Sequence, residues 1–440
     1  MSVPHPLPTP TLGLSSIARR IASGAGAYGY AQAVSIGTQL VSLPLFLYHW
    51  DMVTYGYWLA LTALPFYLSL ADAGISTASS NQMIGLIAQG QKARAAEVFQ
   101  SAVAFLTSVS LLILLVVGAT LLLLPATTLA APQWKTVLML LSISVVLSQF
   151  CSLAEVVYKA TGGYAAGTYL VTTGRLVEWA GGLTGLVLTQ SFIGVAASAL
   201  LARLGYTLLC IWLSQRRTDF LRWGVRRASL ADIRQAAAPG ALFFSLSLTN
   251  ALSLQGFTLL VAATLGPAAT AVFNTYRTLA RVVVQVTNAL SNPHWPELTA
   301  LKGQKNDGAF WKLYRKANRL GLLIAAAGAL LVYWISPWLL DLWTHGHIPF
   351  TATSMALFLL YAAVCSATQV PRVVLMSINR HAGLAWQSLA AAVVALLVAW
   401  LAWRSAGMAG VVGAMLLGEA LVWLTATRAV RRLHTAKAAA

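Results

Sequence analysis

Two arginines, Arg277 and Arg281, stand four positions apart in the otherwise largely apolar stretch NTYRTLARVVVQVTNALSN. The polar residues of this stretch follow one another at intervals of three or four, so a helix would place them on a single face. A guanidinium keeps its proton wherever it lies. Two permanent positive charges on one polar face favour the binding of an anion. The polar residues of this face are Asn274, Arg277, Arg281, Gln285, Asn288 and Asn292.

The composition is that of a membrane protein. Of 440 residues, 58% are hydrophobic and only 9% are charged, whereas soluble domains carry roughly 25% charged residues. Apolar runs long enough to cross a hydrocarbon core of about 30 Å recur along the chain, and they do not alternate as barrel strands do. This pattern predicts an all-α polytopic membrane protein with about twelve transmembrane helices. The predicted spans are 25–48, 55–88, 97–124, 134–156, 164–188, 193–213, 239–265, 270–296, 319–341, 350–371, 382–403 and 407–427.

The distribution of basic residues predicts the topology. With the N-terminus inside, most of the 29 Lys and Arg residues fall in loops on the same side, as expected for a protein with both termini in the cytoplasm. The net charge of +18 is therefore mainly a topology signal. The basic loops also suit anionic membrane lipids, and no nucleic-acid partner is needed to explain them.

An internal repeat divides the chain. The tripeptide GQK occurs at 90–92 and again at 303–305, 213 residues later, and Pro125 and Pro337, 212 residues apart, each close the helix that follows. Six helices fit in each period, which predicts a parallel repeat with the substrate site between two lobes. The predicted parts are a cytoplasmic N-terminal tail (1–24), a first lobe with helices 1–6 (25–213), a cytoplasmic Arg-rich linker (214–238), a second lobe with helices 7–12 (239–427) and a cytoplasmic basic tail (428–440).

Polar stripes occur in four of the predicted spans. A polar stripe inside a membrane faces a water-filled cavity or another helix. For the Ser and Thr residues we favour interhelical hydrogen bonds, but Arg277 and Arg281 lie too deep to reach the surface and have no carboxylate within a helical turn. Besides the stripe of span 8, the stripes comprise Tyr28, Gln32, Ser35, Gln39 and Ser42 in span 1, Thr62, Ser69, Asp72, Ser76 and Ser79 in span 2, and Ser245, Thr249 and Ser253 in span 7.

The fifth, sixth and twelfth predicted spans also contain charged residues. Arg175 and Glu178 are three residues apart and are expected to pair locally, while Arg203 either pairs with Glu178 or joins the cavity. Glu419 is a lone carboxylate, either a relay for a coupling ion or the partner of a distant arginine such as Arg404 or Arg203. The three cysteines are expected to be buried and free of disulfides.

Enzyme chemistry finds little support. The GAGAYG stretch at 24–29 matches a dinucleotide-binding pattern, but no strand precedes it, and we interpret it as small residues in a helix interface. There is no Walker A lysine, and His345 and His347 lack a third metal ligand. We therefore expect no enzyme, no cofactor and no metal site.

The stretch YGYWLALTALPFYLSLADAGISTASSNQMIGLIAQGQ, residues 55–91, resembles the corresponding segment of the polysaccharide and O-antigen flippases. The similar positions are the Tyr55–Gly56 pair, Asp72, Gly74 with Ile75, and Asn81. The stretch FNTYRTLARVVVQVTNALSNPHWPEL is similar to the second-half helix of the same family. These flippases belong to the multidrug, oligosaccharidyl-lipid and polysaccharide exporter superfamily.

The resemblance implies a V-shaped fold of two six-helix lobes, with helices 1, 2, 7 and 8 lining a central cavity. It implies translocation of an undecaprenyl-diphosphate-linked oligosaccharide across the bacterial inner membrane for surface polysaccharide synthesis, beside a polymerase and chain-length machinery. The peptidoglycan-precursor flippases of this superfamily usually have several arginines in their first two helices. Here no arginine lies between Gly24 and Ala88, which disfavours the peptidoglycan precursor as the substrate. The expected diphosphate ligands are Arg277, Arg281, Arg203 and Arg175; the expected glycan or cavity residues are Gln32, Gln39, Asp72, Asn274, Gln285 and Asn288; the candidate coupling carboxylates are Glu419 and Glu178.

Two other functions stay open. A cation-coupled multidrug exporter of the same superfamily would require an acidic cavity, which the arginines oppose. A membrane-embedded glycan polymerase or ligase would depend on outer-loop residues such as His345.

Overall fold

The computed structural model describes the backbone of residues 14–438 except 73, 126–132, 292–293, 295–297, 299–300, 303–305 and 379–381. Side chains are described from residue 23 to residue 433, apart from these gaps and residues 25, 71, 238–239, 242 and 290. All regular elements of the described chain are helical. The predicted all-α polytopic class is confirmed.

The first lobe contains seven α-helices, two of which form one broken membrane span. Helices α2 and α3 are separated by a 3-10 segment, Tyr67–Asp72, and by Gly74, whose φ of 74° is left-handed. The helices are α1 Leu14–His49, α2 Met52–Phe66, α3 Ile75–Ala88, α4 Lys92–Leu123, α5 Gln133–Ala160, α6 Tyr164–Thr189 and α7 Phe192–Arg217.

The second lobe also contains a broken span. A π-helical segment, Leu252–Gly256, lies between α8 and α9, and the last helix changes direction at Gly407, where φ is 54° and ψ is −135°. The helices are α8 Leu230–Ala251, α9 Phe257–Thr264, α10 Pro267–Ser291, α11 Asp307–Thr344, α12 Ala352–Ser377 and α13 Ala382–Ala438.

Nine helical segments of the described chain are long and apolar enough to cross a membrane. Helices α6 and α10 are not among them, because Arg175 with Glu178 and Arg277 with Arg281 lower their hydropathy. The kinked helix α13 is long enough for two spans, 382–406 and 408–438, but it is only one of the nine segments. The nine segments, α6, α10 and the second arm of α13 make up the twelve predicted spans.

Short polar residues fix where several helices begin. Asp51, Ser191, Ser229 and Asn306 each accept a hydrogen bond from a backbone N–H in the first turn of α2, α7, α8 and α11, which satisfies a donor that the helix itself leaves unpaired. Hydrogen bonds from the Thr54 hydroxyl and backbone N–H lower the pKa of Asp51 below its ordinary value.

The two lobes share one core at one end of the bundle. We call the end with the connections 49–52, 189–192, 264–267 and 344–352 the far end, and the opposite end the near end. Aromatic residues of the first lobe pack in this shared core; for example, the ring centroids of Trp50 and Phe192 are 4.9 Å apart. Phe273, Tyr276 and Phe358 of the second lobe belong to the same cluster. The indole N–H of Trp343 also donates to the Leu40 carbonyl across the lobes, at 2.6 Å.

At the near end the larger apolar clusters stay within one lobe. One cluster contains Phe99, Leu153 and Leu221, and another contains Phe310 and Val374. Helix α8 contacts the first lobe through Ala78 with Ala236 and through the close approach of Gly74 to the Gly240 backbone. The described structure is therefore sealed across the far end and more divided at the near end.

The predicted linker is docked on the first lobe. Leu221 is fully buried, and the Trp223 ring lies 5.5 Å from that of Phe99 in α4. Arg94 of α4 forms an ion pair with Asp232 in the first turn of α8, and Asp232 is only 2% exposed. The start of helix 7 is therefore attached to the first lobe.

Several sequence predictions need correction. Helix α1 begins at Leu14, so residues 14–24 are helical instead of forming part of a disordered tail, and helix continues beyond residue 428 to Ala438. Spans 2 and 7 are broken where hydropathy predicted continuous helices. Pro337 lies inside α11 because a proline within a membrane helix is tolerated. The second GQK tripeptide and Asn292 lie outside the described residues.

Gly56 allows α2 and α10 to meet backbone to backbone at the far end, where an added Cβ would overlap the carbonyl of Pro267. We expect Gly56→Ala to destabilise the closed far end by about 1–3 kcal/mol, because overpacking outweighs the better helix propensity of alanine. Thermal unfolding in detergent and maleimide labelling of Ala271→Cys, in a background without the native cysteines, measure the effect. Labelling should increase.

The matched control is Gly205→Ala in α7, because a Cβ there meets no atom within 4 Å. Gly56→Ala should unfold at a lower temperature and label more than Gly205→Ala. Equal stability and equal labelling would show that the contact of α2 with α10 does not close the far end.

Candidate functional site

A cavity of about 420 Å³ lies within the second lobe, between α8, the π-helical segment and helices α10, α12 and α13. Its volume falls within the range of small-molecule pockets, about 300–1,000 Å³. The lining extends from Arg277, near the middle of α10, to Met376 and Leu384 at the near end. Its charged residues are Arg277, Arg281, Arg372 and Glu419.

Arg277 is held by neutral acceptors that the broken helix supplies. Its guanidinium donates to the carbonyl of Leu254 at 2.5 Å, to the hydroxyl of Thr258 at 2.9 Å and to the side-chain oxygen of Asn274. Leu254 lies in the π-helical segment, where the regular hydrogen-bond ladder is interrupted. The ring of Phe273 lies 5.0 Å from the guanidinium. Arg277 is thus fixed in place, only 7% exposed, and keeps its charge.

Arg281 and Arg372 differ from Arg277 because their donors are not engaged within the protein. In the part of the chain that the structure describes, neither guanidinium has a hydrogen bond or an ion pair, yet both line the cavity. Arg281 follows Arg277 by one helical turn, and Asn288 lines the cavity two turns further on. These two arginines can donate to a ligand without first breaking a contact.

Glu419 is the one carboxylate among the described lining residues, which also include Tyr361, Cys365 and Gln369. Among the described ion pairs, none within 4.0 Å joins Glu419 to an arginine. Three guanidiniums against one carboxylate leave an excess of positive charge. In a site away from bulk water such an excess attracts anions more strongly than it would at an exposed surface.

The structure brings together only some of the predicted residues. Arg277, Arg281, Asn288 and Glu419 line the cavity. Asn274 supports Arg277 from beside it. Gln285 is buried and Gln39 donates to Ser35 at 3.0 Å; these two and Gln32 line neither of the two described cavities. Asp72 lines a different pocket in the first lobe.

The location of the cavity corrects the predicted lining. Spans 1, 2, 7 and 8 were expected to surround the arginines, but the lining residues come from spans 7, 8, 10, 11 and 12. Arg372 also lines the cavity, although it lies just beyond Pro371, the predicted end of span 10. Helix α12 continues through this proline to Ser377. The spacing of Cys365, Gln369 and Arg372, at intervals of four and three, was the available signal.

Arg203 and Glu178 form an ion pair away from the cavity, the alternative that the sequence left open. Arg203 is 2% exposed, and its guanidinium contacts the Glu178 carboxylate across the interface of α6 and α7. Gly174, Gly181 and Gly185 of α6 allow α7 to approach closely. Arg175 is exposed and does not pair with Glu178. The placement of Arg203 supports a structural role, and neither Arg203 nor Arg175 lines the basic cavity.

Arg203→Met should destabilise the protein because it leaves the Glu178 carboxylate without its cation. Since the Glu178 side chain is 30% exposed, we expect a loss of about 2 kcal/mol, below the roughly 3–5 kcal/mol of a fully buried pair. Replacing both residues, Arg203→Met with Glu178→Leu, should restore most of the stability. Denaturant unfolding in detergent measures both. A single variant of normal stability would argue against a structural role.

Comparisons with known proteins reveal the fold but no close relative: no protein-family profile and no curated sequence matches the chain. The inward-facing conformation of a multidrug resistance MATE family transporter of the MOP superfamily superposes with a TM-score of 0.70 at 13% identity, covering 95% of this chain and 98% of that chain. An outward-facing conformation of such a transporter gives 0.67 at 13% identity, covering 95% and 96%.

A third solved structure is a MOP superfamily transporter from Pyrococcus furiosus, for which reverse polarity of the binding pocket suggests a different function. It superposes with a TM-score of 0.67 at 12% identity, covering 95% of this chain and 96% of that chain. Agreement over nearly the whole length establishes the architecture. The chain has the two-lobed, all-helical fold of the MATE transporters of the MOP superfamily.

Proposed function

We propose that the chain is a flippase that moves an undecaprenyl-diphosphate-linked oligosaccharide across the bacterial inner membrane for the synthesis of a surface polysaccharide such as O-antigen or exopolysaccharide. The observation that carries the proposal is the basic cavity, in which Arg281 and Arg372 have unengaged donors beside the fixed charge of Arg277. A diphosphate offers several anionic oxygens to such donors.

The three arginines would divide the work. Arg277 supplies a fixed positive charge, since its donors are occupied by Leu254, Thr258 and Asn274. Arg281 and Arg372 would form charge-assisted hydrogen bonds with the diphosphate, which are stronger than neutral ones. The side chains of Thr249, Asn250 and Asn288, which also line the cavity, would orient the headgroup. The prenyl chain would stay in the lipid.

The arrangement of the lobes suits alternating access. The shared aromatic core seals the far end, while the basic cavity extends toward the near end. Rocking of one lobe against the other would close the near end and open the far end. With cytoplasmic termini, as the basic loops predict, the substrate would enter from the cytoplasm and leave toward a polymerase and its chain-length machinery. Anionic lipids would contact the near-end loops.

Glu419 is our candidate for the coupling carboxylate, because it shares the cavity with the arginines. Glu178, the other candidate from the sequence, is occupied by Arg203. Glu419 is thus the carboxylate of the cavity that remains available to a coupling ion.

A cation-coupled multidrug exporter is the second candidate function. Multidrug resistance transporters share the fold, and the pocket of the first lobe contains Asp72 and Glu155, which would suit a cationic compound. The excess positive charge of the larger cavity opposes this function. A membrane-embedded polymerase or ligase has no comparable support around His345 among the described residues.

Arg281→Gln and Arg372→Gln should each weaken the binding of undecaprenyl diphosphate. Hydrogen bonds to charged groups contribute about 1.5–3 kcal/mol, so we expect a loss of about 10- to 150-fold. Arg→Lys at either position should recover only part of it, because lysine lacks the planar fork. Native mass spectrometry of the protein in lipid nanodiscs measures binding. Surface-polysaccharide assembly in a strain that lacks its own copy measures function.

The matched control is Arg404→Gln, an exposed arginine outside the cavity that lies against Trp403, which should bind like the wild type. Binding of ethidium should not fall in Arg281→Gln. Normal diphosphate binding by both cavity variants, together with tight binding of ethidium by the wild type, would favour the exporter.

A further inference from the structure

A second polar pocket, of about 340 Å³, lies in the near-end half of the first lobe between α3, α5 and the first residue of α6. It is lined by residues that can accept or donate hydrogen bonds, with a few apolar side chains between them. The pocket is large enough for a small ligand. The lining residues used below are Asp72, Asn81, Ser152, Glu155, Lys159 and Tyr164.

Asp72 has acceptor capacity left over in this pocket. Oδ1 accepts hydrogen bonds from the backbone N–H of Ser76 at 3.0 Å and from its hydroxyl at 2.6 Å, which caps α3 after the break at Gly74. For Oδ2 the described residues supply no partner, and Asp72 has no cation within 4.0 Å among them. The break in span 2 thus leaves one carboxylate oxygen available to a ligand.

The opposite wall is charge-balanced and ends in an aromatic ring. Lys159 pairs with Glu155 at 3.2 Å, and the Thr168 hydroxyl donates to the same carboxylate at 3.3 Å. The Lys159 ammonium also lies 5.5 Å from the ring centroid of Tyr164. Tyr164 is 54% exposed. A ligand in this pocket would meet the Glu155–Lys159 ion pair and the accessible ring of Tyr164.

This chemistry favours a polyhydroxylated ligand. With two carboxyl groups and one ammonium in its lining, the pocket lacks the excess of positive charge that would favour phosphate. Within the described residues there is no cluster of three His, Cys, Asp or Glu side chains that could hold a metal ion. Carboxylates, the Asn81 amide and serine hydroxyls accept from and donate to sugar hydroxyls, and apolar sugar faces pack against aromatic rings.

The pocket and the basic cavity are related at the repeat interval on one pair of helices, α5 and α12. Lys159 and Arg372 are 213 residues apart, and so are Ser152 and Cys365; the first of each pair lines this pocket and the second lines the basic cavity. The interval is that of the two GQK tripeptides. The two pockets therefore carry opposite excess charge on helices that the repeat interval relates, and both lie toward the near end, where the lobes are more divided.

We infer that the first-lobe pocket is a carbohydrate subsite that binds sugar units of the substrate whose diphosphate occupies the second-lobe cavity. The inference rests on the proposed function and adds to it. The substrate would bridge the two lobes, with its anionic part on α10 and α12 and its hydroxyl-rich part on α3 and α5. Each lobe would then recognise a different chemical group of one molecule.

The test compares two probes on the full chain in lipid nanodiscs: undecaprenyl diphosphate, and undecaprenyl diphosphate that carries a disaccharide, in a small panel of hexose and N-acetylhexosamine disaccharides. Native mass spectrometry measures both affinities. We expect at least one disaccharide to increase wild-type affinity about tenfold, and Asp72→Asn and Asn81→Ala to remove most of that gain. Neither variant should alter binding of the bare diphosphate.

Both variants should fold. In Asp72→Asn the side-chain amide oxygen can still accept from Ser76, and Asn81 is exposed without a hydrogen-bond partner among the described residues. Gln89→Ala is the matched control, since Gln89 is exposed at the end of α3 outside the pocket. Gln89→Ala should keep the full increase in affinity that the disaccharide gives the wild type.

The remaining outcomes separate the two proposals. If Arg281→Gln weakens both probes and the Asp72 and Asn81 variants keep the gain from the sugar, the subsite is overturned while the flippase function stands. A panel in which no disaccharide improves wild-type binding also overturns the subsite. If Arg281→Gln and Arg372→Gln both bind both probes normally, the flippase function fails. Asp72-dependent binding of ethidium without any gain from sugar would identify a cation site and overturn the inference.

Discussion

The structure depends on how guanidinium charge is accommodated inside a membrane helix bundle. Arg203 is neutralised by Glu178 on the neighbouring helix. Arg277 has no carboxylate among its hydrogen-bond partners and is instead surrounded by a carbonyl, a hydroxyl and an amide. The first solution removes net charge and serves stability. The second keeps the charge, which costs free energy unless an anion sometimes compensates it.

The helix breaks are what make the two polar sites possible. A regular helix presents few backbone acceptors to its side, but the π-helical segment brings the Leu254 carbonyl to Arg277. The 3-10 segment and the left-handed Gly74 put Asp72 at the start of a new helix, where it caps α3. Both breaks lie in spans that border a described pocket. Irregular backbone at membrane depth is tolerated where it borders a polar cavity.

Much of the architecture could be predicted because apolar length and basic-loop bias report directly on membrane spans. The stripe from Asn274 to Asn288 was also visible, since its spacing matches the helical period. The breaks at Gly74 and Leu252–Gly256 could not be predicted, because hydropathy is averaged over many residues and does not report a local change in backbone hydrogen bonding. The place of Arg372 in the cavity could not be predicted from hydropathy, because the predicted span ends at Pro371 whereas helix α12 continues through this proline to Ser377. The placement of the arginine cavity inside one lobe depends on packing between distant segments. The spacing of residues within one helix does not predict such packing.

The docked linker has a mechanical consequence. Arg94 of α4 holds Asp232 in the first turn of α8, so that turn travels with the first lobe at the near end, whereas α9 packs with α10 and α13 of the second lobe and, across the sealed far end, with α2. Any relative rotation of the lobes must therefore bend the polypeptide between these two attachments. The π-helical segment is the irregular part of that stretch, and its Leu254 carbonyl binds Arg277. Bending of this segment would move the Leu254 carbonyl relative to Arg277 and change how strongly the guanidinium charge is compensated. Movement of the lobes would therefore alter the affinity of the cavity for an anion.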